Sequence, residues 1–287
     1  MRFYWVDAFT KEAFGGNPTG VAIGECSEQV MQGLAKELGL SYIAFVNLKS
    51  GISIRYFTPE AEIDLCGHAT IAAFFALAAG GYVKTPNGTS ECGFSTRAGN
   101  LKVYMECVDG AVESVHMLQA RPRFGDKVPK DRTAYYLGIS EGDIIGEPMV
   151  VSAGAYDIVA GICDKRVLNR ISADAEKIAA FTGEYNAAAL QLFTFDTYLK
   201  EDAVLVRTMV PTPGIGEMPA AGTANGALGA YLAETGLADG NPLKFKAEQG
   251  INMGRPSLIS VEVAKGAGYQ VKVGGSARII MEGDLRV

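Results

Sequence analysis

The residues best suited to chemistry occur in two matching segments of the chain. Residues 62–70 read EIDLCGHAT and residues 217–225 read EMPAAGTAN, and an apolar, helix-like run follows each segment. A shift of 155 residues aligns Glu62 with Glu217 and Gly67 with Gly222. A repeat at about half the chain length indicates two similar lobes, each with one copy of a site element. The alternative is that Ala- and Gly-rich helices resemble each other by composition.

A glycine stands at the start of each helix-like run. Gly67 and Gly222 would let a ligand approach bare backbone, and the first amides of a helix have no intrahelical acceptor. Together with the positive end of the helix dipole, the amides at Gly67-His68 and Gly222-Thr223 are expected to bind an anion such as a carboxylate. The alternative is that both glycines only permit a tight start of the helix.

His68 is one of two histidines and would lie in the first turn of the first apolar helix. An imidazole has an unperturbed pKa of about 6.5, so it can transfer a proton at neutral pH, although a helix N-terminus favours its neutral form. The alternative is a core histidine with satisfied hydrogen bonds. The second histidine, His116, lies in an alternating strand pattern and is interpreted as structural.

Three more side chains near the helix starts are candidates. Cys66 would be a thiolate base only if the helix end lowered its pKa, and it would otherwise be a small apolar residue. Its counterpart is Ala221, so the chain has no symmetric pair of thiols. Glu62 and Glu217 would be general bases if burial raised their pKa values, and otherwise solvated or capping charges. Of the two, Glu217 is the stronger candidate.

Composition excludes several classes of protein. The 287 residues carry a formal net charge of -6 without a cluster of Lys and Arg, which argues against a nucleic-acid partner. Five scattered cysteines without a C-x-x-C pair predict a reduced, cytoplasmic protein without disulfides. We expect no signal peptide, because Asp7 places a charge near the N-terminus before a long apolar stretch. We expect no membrane span, because the longest apolar run, residues 69–83, is shorter than about 18 residues. The motifs also predict no metal site and no cofactor.

The elements that must position these residues follow from hydrophobic periodicity. Residues 69–79 are apolar around the whole helical circumference, which predicts burial on every side by a surrounding sheet. The other predicted helices are residues 27–38, 172–182 and 223–234. Strands are predicted near residues 2–9, 21–24, 43–48, 52–58, 100–107, 111–117, 189–195, 203–210, 243–248, 257–264, 269–273 and 277–282. Because strands outnumber helices and mostly follow one another, the class is α+β.

Several motifs together carry a family resemblance. They are DAFT at residues 7–10, FGGNPTGVA at 14–22, RYFTP at 55–59, the specific DLCGHAT block at 64–70 and VKVGGSA at 271–277. On these motifs the chain resembles the PhzF-like family of phenazine-biosynthesis isomerase relatives from end to end. The resemblance implies a diaminopimelate-epimerase-like fold of two pseudo-symmetric half-barrel lobes, each wrapping a central apolar helix, with a cofactor-free active site between them. It also implies a homodimer.

The chain departs from the family pattern at two acidic positions. In the family the catalytic Glu follows the Ser of an S-E-T-x-F-V block, whereas here Ser41 precedes Tyr42. The second-lobe motif usually reads E-D-P-x-T-G-S-A, and here Met218 replaces its Asp. A phenol has an unperturbed pKa near 10, so Tyr42 does not replace a carboxylate base at pH 7. The resemblance implies that the residues Gly67, His68, Gly222 and Thr223 help to hold the substrate.

The sequence therefore predicts a cofactor-independent isomerase or epimerase-like enzyme that transfers a proton within a small carboxylate-bearing molecule bound between the lobes. We expect His68, Tyr42 and Glu217 to be catalytic, with Tyr42 orienting the substrate. The predicted substrate-binding residues are Ser41, Cys66, Gly67, Met218, Gly222 and Thr223. The alternative is a non-catalytic small-carboxylate-binding protein that has lost the family's catalytic Glu. The predicted lobes are residues 1–118 and 119–287, and the last strand, about 276–287, is a candidate to return to the first lobe.

Overall fold

The structure, a computed structural model, describes residues 1–199, 203–212 and 216–287. The chain divides into two compact units. Unit 1 comprises Met1–Met117 and Gly274–Val287, and unit 2 comprises Leu118–Val273. The helices are α1 (Glu28–Leu38), α2 (Gly67–Ala79), α3 (Lys130–Leu137), α4 (Lys165–Arg170), α5 (Ala175–Glu184) and α6 (Gly222–Thr235). No helix in the described part of the chain has the length and apolar character needed to cross a membrane.

The strands are short and are numbered along the chain. They are β1 (Arg2–Ala8), β2 (Asn17–Ile23), β3 (Ile43–Asn47), β4 (Ser53–Phe57), β5 (Glu62–Ile63), β6 (Gly88–Thr96), β7 (Gly99–Val108), β8 (Ala111–Leu118), β9 (Arg123–Lys127), β10 (Ile144–Ser152), β11 (Tyr156–Ile162), β12 (Ala189–Thr194), β13 (Ala203–Met209), β14 (Glu217–Met218), β15 (Leu243–Gln249), β16 (Ser257–Lys265), β17 (Tyr269–Gly275) and β18 (Ala277–Asp284).

Unit 1 is a curved sheet with a helix on each face. β1 pairs antiparallel with β2 and β18, and β2 pairs parallel with β3 through a crossover that contains α1. β3 and β4 are antiparallel, and β4 pairs with β5 immediately before α2. One face of the sheet packs on α1 through Phe3, Met31, Leu40, Phe45 and Phe57. The other face packs on α2, which contacts β1, β2, β3 and β18.

Unit 2 repeats this plan in the same chain order. β10 and β11 are antiparallel, and β11 pairs parallel with β12 through a crossover that contains α4 and α5. β12 and β13 are antiparallel, and β13 pairs with β14 before α6. A core that includes Leu137, Leu168 and Phe181 joins α3, α4 and α5 to the outer face of the sheet. The predicted α+β class, with two pseudo-symmetric half-barrel lobes that each wrap an apolar helix, is confirmed.

The two central helices are buried because nearly all of their side chains are small or apolar. In α2, nine of the ten residues from His68 to Leu77 are buried, all except Phe75, and α6 is buried from Ala224 to Leu232. Glycine lets the surrounding strands approach α6, since a Cβ at Gly229 would lie 2.7 Å from a methyl of Val261. The start of each helix is therefore fixed by the strands around it.

Some predicted elements differ from the observed ones. The strand predicted at residues 21–24 begins at Asn17, because Asn17 and Pro18 pair in register with the end of β1, and the turn lies earlier. The helix predicted at residues 172–182 is α5, which begins after its N-cap, Asp174. The sequence analysis missed the strands β5, β6, β9, β10, β11 and β14 and the helices α3 and α4. All five residues of β9 are exposed, so this strand carries no alternating pattern.

Candidate functional site

The N-terminus of α2 lies at the end of a short hairpin between β4 and β5. Cys66 is the N-cap residue, and the first helical hydrogen bond runs from the Thr70 N–H to the Cys66 carbonyl at 2.9 Å. The Thr70 hydroxyl donates to the same carbonyl at 2.8 Å. The amides of Gly67, His68 and Ala69 therefore have no backbone acceptor within the helix, and no acidic side chain lies in its first turn. This end of α2 is suited to an anion.

His68 is buried within the first turn of α2, with 7% of its surface exposed. Its Nδ1 lies 3.4 Å from the sulfur of Cys66, which is a weak hydrogen-bonding partner. Burial lowers the pKa of His68 to about 4, because the charged imidazolium is poorly solvated there. At neutral pH the imidazole is therefore uncharged, with one ring nitrogen that can accept a hydrogen bond.

The Cys66 thiol does not become a thiolate at neutral pH. Burial raises its pKa to about 12, and the amides of Ala69 and His68, which act in the opposite direction, do not compensate for the desolvation. The raised pKa therefore favours a neutral Cys66 thiol over a thiolate base. Cys66 packs against His68 as a small, weakly polar side chain.

Tyr42 lies beside His68 and completes a cluster of three neutral polar side chains with Cys66. The rings of Tyr42 and His68 are 4.8 Å apart at 81°. The Tyr42 carbonyl accepts hydrogen bonds from the Thr19 hydroxyl at 2.8 Å and from the Gly20 amide at 3.2 Å, which fixes the start of β3 against β2. Burial is the main cause that raises the pKa of Tyr42, so the phenol stays protonated and can donate a hydrogen bond. The neighbouring Ser41 is exposed.

Glu62 is held by two arginines. Arg55 donates to both carboxylate oxygens, from Nε at 2.7 Å and from Nη2 at 2.6 Å, and Arg97 donates from Nη1 at 2.8 Å. The hydrogen bonds from Arg55 are the main cause that lowers the pKa of Glu62. Glu62 is thus an ionised partner in a charge network and not a base with a raised pKa.

Glu217 has the same arrangement in unit 2. Arg207 donates from Nε to Oε1 at 3.0 Å and from Nη2 to Oε2 at 2.6 Å, and both side chains are 8% exposed. The remaining Arg207 nitrogen, Nη1, donates to the carbonyls of Leu168 and Ile171 at 2.9 and 2.7 Å. A bidentate pair of this kind occupies the carboxylate. The geometry therefore favours a structural role for Glu217 over the acid/base role expected from the sequence.

The N-terminus of α6 is supported by a buried network of amides and a hydroxyl. Asn225 donates to the Ala221 carbonyl at 2.9 Å and to Gln249 at 2.8 Å, and Gln191 donates to Asn225 at 3.1 Å. Gln249 also donates to the Thr208 hydroxyl and to the Met218 carbonyl, both at 2.9 Å. Met218 thus contributes its backbone to this network. The amides of Gly222, Thr223 and Ala224 are left without an intrahelical acceptor.

The structure brings together some predicted residues within each unit. In unit 1, Tyr42, Cys66 and His68 form one cluster next to the Gly67 amide. In unit 2, Met218 and Glu217 precede α6, whose first residues are Gly222 and Thr223. Sequence reasoning missed the arginine partners of the two glutamates, although a charged residue in a buried strand, such as Arg207, is a signal for a partner. In the described residues there is no group of three or more His, Cys, Asp or Glu side chains that could hold a metal ion.

Comparisons with known proteins agree with this fold. Residues 6–283 match the family model of PhzC-PhzF, phenazine biosynthesis-like protein. An uncharacterized isomerase of Clostridium acetobutylicum is 32% identical over 99% of this chain and 97% of its own length. The uncharacterized isomerase YddE of Escherichia coli K12 is 30% identical over 100% of this chain and 98% of its own.

Solved structures give the same result. The PhzF-family phenazine biosynthesis protein of Bacillus anthracis has a TM-score of 0.89 at 25% identity and covers 100% of this chain and 99% of that one. A hydroxyproline epimerase from Agrobacterium vitis, with bound trans-4-hydroxy-L-proline, shares the fold, with a TM-score of 0.66 at 15% identity over 99% of this chain and 91% of its own. The chain therefore belongs to the PhzC-PhzF family of phenazine biosynthesis-like proteins, several bacterial members of which are named isomerases.

Proposed function

We propose that this protein is a cofactor-independent isomerase that transfers a proton within a small carboxylate-bearing molecule. The observation that carries the proposal is the neutral cluster of His68, Tyr42 and Cys66 at the N-terminus of α2. The family relatives named as isomerases support the reaction class. The substrate class rests on the chemistry of the helix end.

The two rings of the cluster have complementary proton roles. A neutral imidazole accepts a proton, and a protonated phenol donates a hydrogen bond. In the proposed step, His68 removes a proton from a carbon of the substrate, the electrons of that C–H bond move into the adjacent unsaturated system, and Tyr42 donates a hydrogen bond to the oxygen on which charge develops. His68 then returns the proton to a different carbon on the same face of the substrate, and the electron pair of the unsaturated system forms the new C–H bond there.

The carboxylate of the substrate would be bound by backbone amides. At the start of α2, the amides of Gly67 and His68 point out of the helix end, and a substrate oxygen is a stronger acceptor than the sulfur of Cys66. The first amides of α6, at Gly222 and Thr223, are the equivalent group in unit 2.

Glu217 is not part of the proposed proton transfer. Both of its carboxylate oxygens accept hydrogen bonds from Arg207, so it would have to break a buried ion pair to reach a substrate. The family resemblance implies that Tyr42 has the place of the catalytic Glu, and we propose that His68 has taken over the role of the base.

A second candidate function is the binding of a small carboxylate without turnover. It is favoured by a specific observation, namely that both Glu62 and Glu217 are held in ion pairs with arginines. Neither Glu62 nor Glu217 is then free to act as a base. In this case the helix ends would bind the ligand and the cluster would only shape the site.

One experiment separates the two functions. The protein is incubated with a set of small carboxylic acids in deuterated water, and incorporation of deuterium at carbon is followed by NMR, while thermal unfolding is recorded with the same acids. Incorporation supports the isomerase. Stabilisation without incorporation supports the binding protein, because a ligand that binds only the native state raises its stability. If neither is seen, both functions are wrong. A cytoplasmic homodimer is also proposed from the family resemblance, and light scattering measures its mass.

A further inference from the structure

Asp157 is a buried carboxylic acid that the proposed mechanism does not use. It is the second residue of β11 and is 2% exposed. Ile158, Ala160 and Ile162 point to the outer core with α3, α4 and α5. Because side chains alternate along a strand, Asp157 points to the opposite face, on which α6 packs.

The hairpin that carries Asp157 rests on the first turns of α6. A Cβ at Gly154, in the tip of the hairpin, would lie 3.0 Å from the Cγ2 of Thr223, and a Cβ at Gly226 would lie 3.3 Å from the Cβ of Ala153. Asp157 pairs with Val151, two residues before Ala153 on the neighbouring strand. The carboxyl is thus roughly 7 Å along the strand from the contact with Gly226. It lies beneath the N-terminal part of α6.

The Asp157 carboxyl has a buried oxygen without a partner. Its Oδ2 makes no hydrogen bond, and the neighbours in register are the aliphatic Val151 and Ala189. Burial raises the pKa of Asp157 to about 7. A buried polar atom that lacks a partner is rare and calls for an explanation.

No charged group compensates for Asp157 on the elements packed against it. On the face of Asp157, β12 has no titratable residue, β10 has Glu147, and α6 has Tyr231 and Glu234 in its second half. The basic residues of α4, Lys165, Arg166 and Arg170, belong to a helix that packs on the opposite face of β11. Tyr231 donates its hydroxyl to the Glu147 carbonyl at 2.9 Å, at the other end of the helix from Gly222. The only other titratable residue on β11 is Tyr156, which lies on the opposite face.

The other polar groups around the start of α6 are satisfied, which makes Asp157 an exception. Gln191, Thr208, Asn225 and Gln249 bond to each other in a closed network. Thr19 is the position in unit 1 that is equivalent to Asp157. Gly20 pairs with Ile43 in unit 1 as Ile158 pairs with Leu190 in unit 2, and Thr19 and Asp157 directly precede Gly20 and Ile158. Thr19 has no charge and donates its hydroxyl to the Tyr42 carbonyl.

We propose that Asp157 couples the binding of an anion at the N-terminus of α6 to the uptake of a proton. The helix has no side-chain cap and no acidic residue in its first turn, so its free amides attract negative charge. An ionised Asp157 supplies that charge from within the protein and repels an incoming carboxylate. A neutral Asp157 removes the repulsion, so anion binding and protonation favour each other. The proton comes from solvent and no bond to carbon changes.

This inference rests on the proposed function for the identity of the anion, and acetate is a suitable probe. Acetate is titrated into the full chain between pH 6 and pH 9, and the amide NMR signals of Gly222 and Thr223 report on α6 while those of Gly67 and His68 report on α2. We expect the affinity reported by α6 to fall above pH 7, by up to about tenfold per pH unit. The affinity for acetate measured from the α2 amides should not decrease above pH 7 in this way.

Asp157→Asn should remove the pH dependence at α6 and retain the binding of acetate. If the side-chain amide of Asp157→Asn prevents folding, Asp157→Thr, which copies Thr19, gives the same test. The matched control is Asp131→Asn, at an exposed carboxylate of α3, which should retain the pH dependence. The inference is overturned if the α6 amides do not respond to acetate, if their response is equal at every pH, or if Asp157→Asn keeps the parent profile. The proposed function fails separately, through the α2 amides and the deuterium experiment.

Discussion

The edge of one ring meets the face of the other where Tyr42 packs on His68, with 4.8 Å between the ring centroids. This contact joins the start of β3 to the first turn of α2, and each residue is the main aromatic neighbour of the other. Both rings are neutral at pH 7, since burial lowers the pKa of His68 and raises the pKa of Tyr42. The pair therefore offers a base and a hydrogen-bond donor without a buried charge.

The phenol of Tyr42 can be removed without removing its ring. We expect Tyr42→Phe to keep the packing on His68 and to slow deuterium incorporation about 10- to 100-fold, because the developing charge loses a hydrogen-bond donor. The matched control is Tyr135→Phe, at a tyrosine that is 73% exposed in unit 2. Exchange by Tyr42→Phe at the parent rate would show that the phenol has no part in the reaction.

The start of α2 has room for a methyl group. A Cβ at Gly67 meets no protein atom within 4 Å, so Gly67→Ala should fold normally while its methyl obstructs a ligand at the helix end. We expect the affinity for a small carboxylate, measured by NMR titration, to fall about tenfold, which corresponds to about 1.4 kcal/mol.

The control for this substitution is Gly33→Ala in α1, where a Cβ also meets no atom within 4 Å. This variant should bind the carboxylate like the parent and gain up to about 1 kcal/mol in its free energy of unfolding, because alanine favours a helix interior. Equal affinities for Gly67→Ala and the parent would locate the anion elsewhere.

Glu217 should prove structural. Removing its charge leaves Arg207 buried without a counterion, so we expect Glu217→Gln to lower the free energy of unfolding by about 3–5 kcal/mol, measured by urea denaturation. Glu91→Gln breaks the exposed ion pair with Lys102 and should cost less than about 1 kcal/mol. Deuterium incorporation per folded molecule should be unchanged in Glu217→Gln. A stable variant without exchange would restore Glu217 as the acid/base.

Stability should depend on pH through His68. Its pKa is about 4 in the folded protein and about 6.5 when unfolded, so between these values the unfolded chain binds more protons. The contribution of His68 to the free energy of unfolding is therefore fully present above pH 6.5. As the pH falls towards 4, this contribution is lost and the free energy of unfolding decreases by about 3 kcal/mol.

His68→Phe should lose this dependence. Because Asp157 acts with the opposite sign between about pH 4 and pH 7, the quantity to compare is the difference in unfolding free energy between the parent and His68→Phe at each pH. The difference should grow in favour of the parent from pH 4 to pH 6.5 and then level off. A constant difference would mean that His68 titrates normally in the folded protein.

The central helices were predictable, and several strands were not. A run that is apolar on every side can only be a buried helix at the length of α2, whereas β11 is a short, nearly continuous apolar segment that periodicity alone does not distinguish from a helix. The exposed β9 has no pattern to recognise. In these cases the position in the sheet, and not the local sequence, determines the structure.

Some of the site residues could likewise be predicted from the sequence, and others could not. The shift of 155 residues aligned Glu62 with Glu217 but not Arg55 with Arg207, because the connection before the glutamate has four residues in unit 1 and seven in unit 2. Only the strand register shows that the two ion pairs are equivalent. Asp157 was also missed, since its lack of a partner depends on the packing of β10, β12 and α6 around it.

The proposed role of His68 as the base is tested most directly by the rate at which deuterium from solvent enters a small carboxylic acid turned over by the protein. His68→Gln should reduce this rate at least 100-fold at pH 7 while the carboxylate still binds. His116→Gln, at the only other histidine, should exchange at the parent rate. If His68→Gln exchanges as fast as the parent, His68 is not the base and the proposed mechanism is wrong.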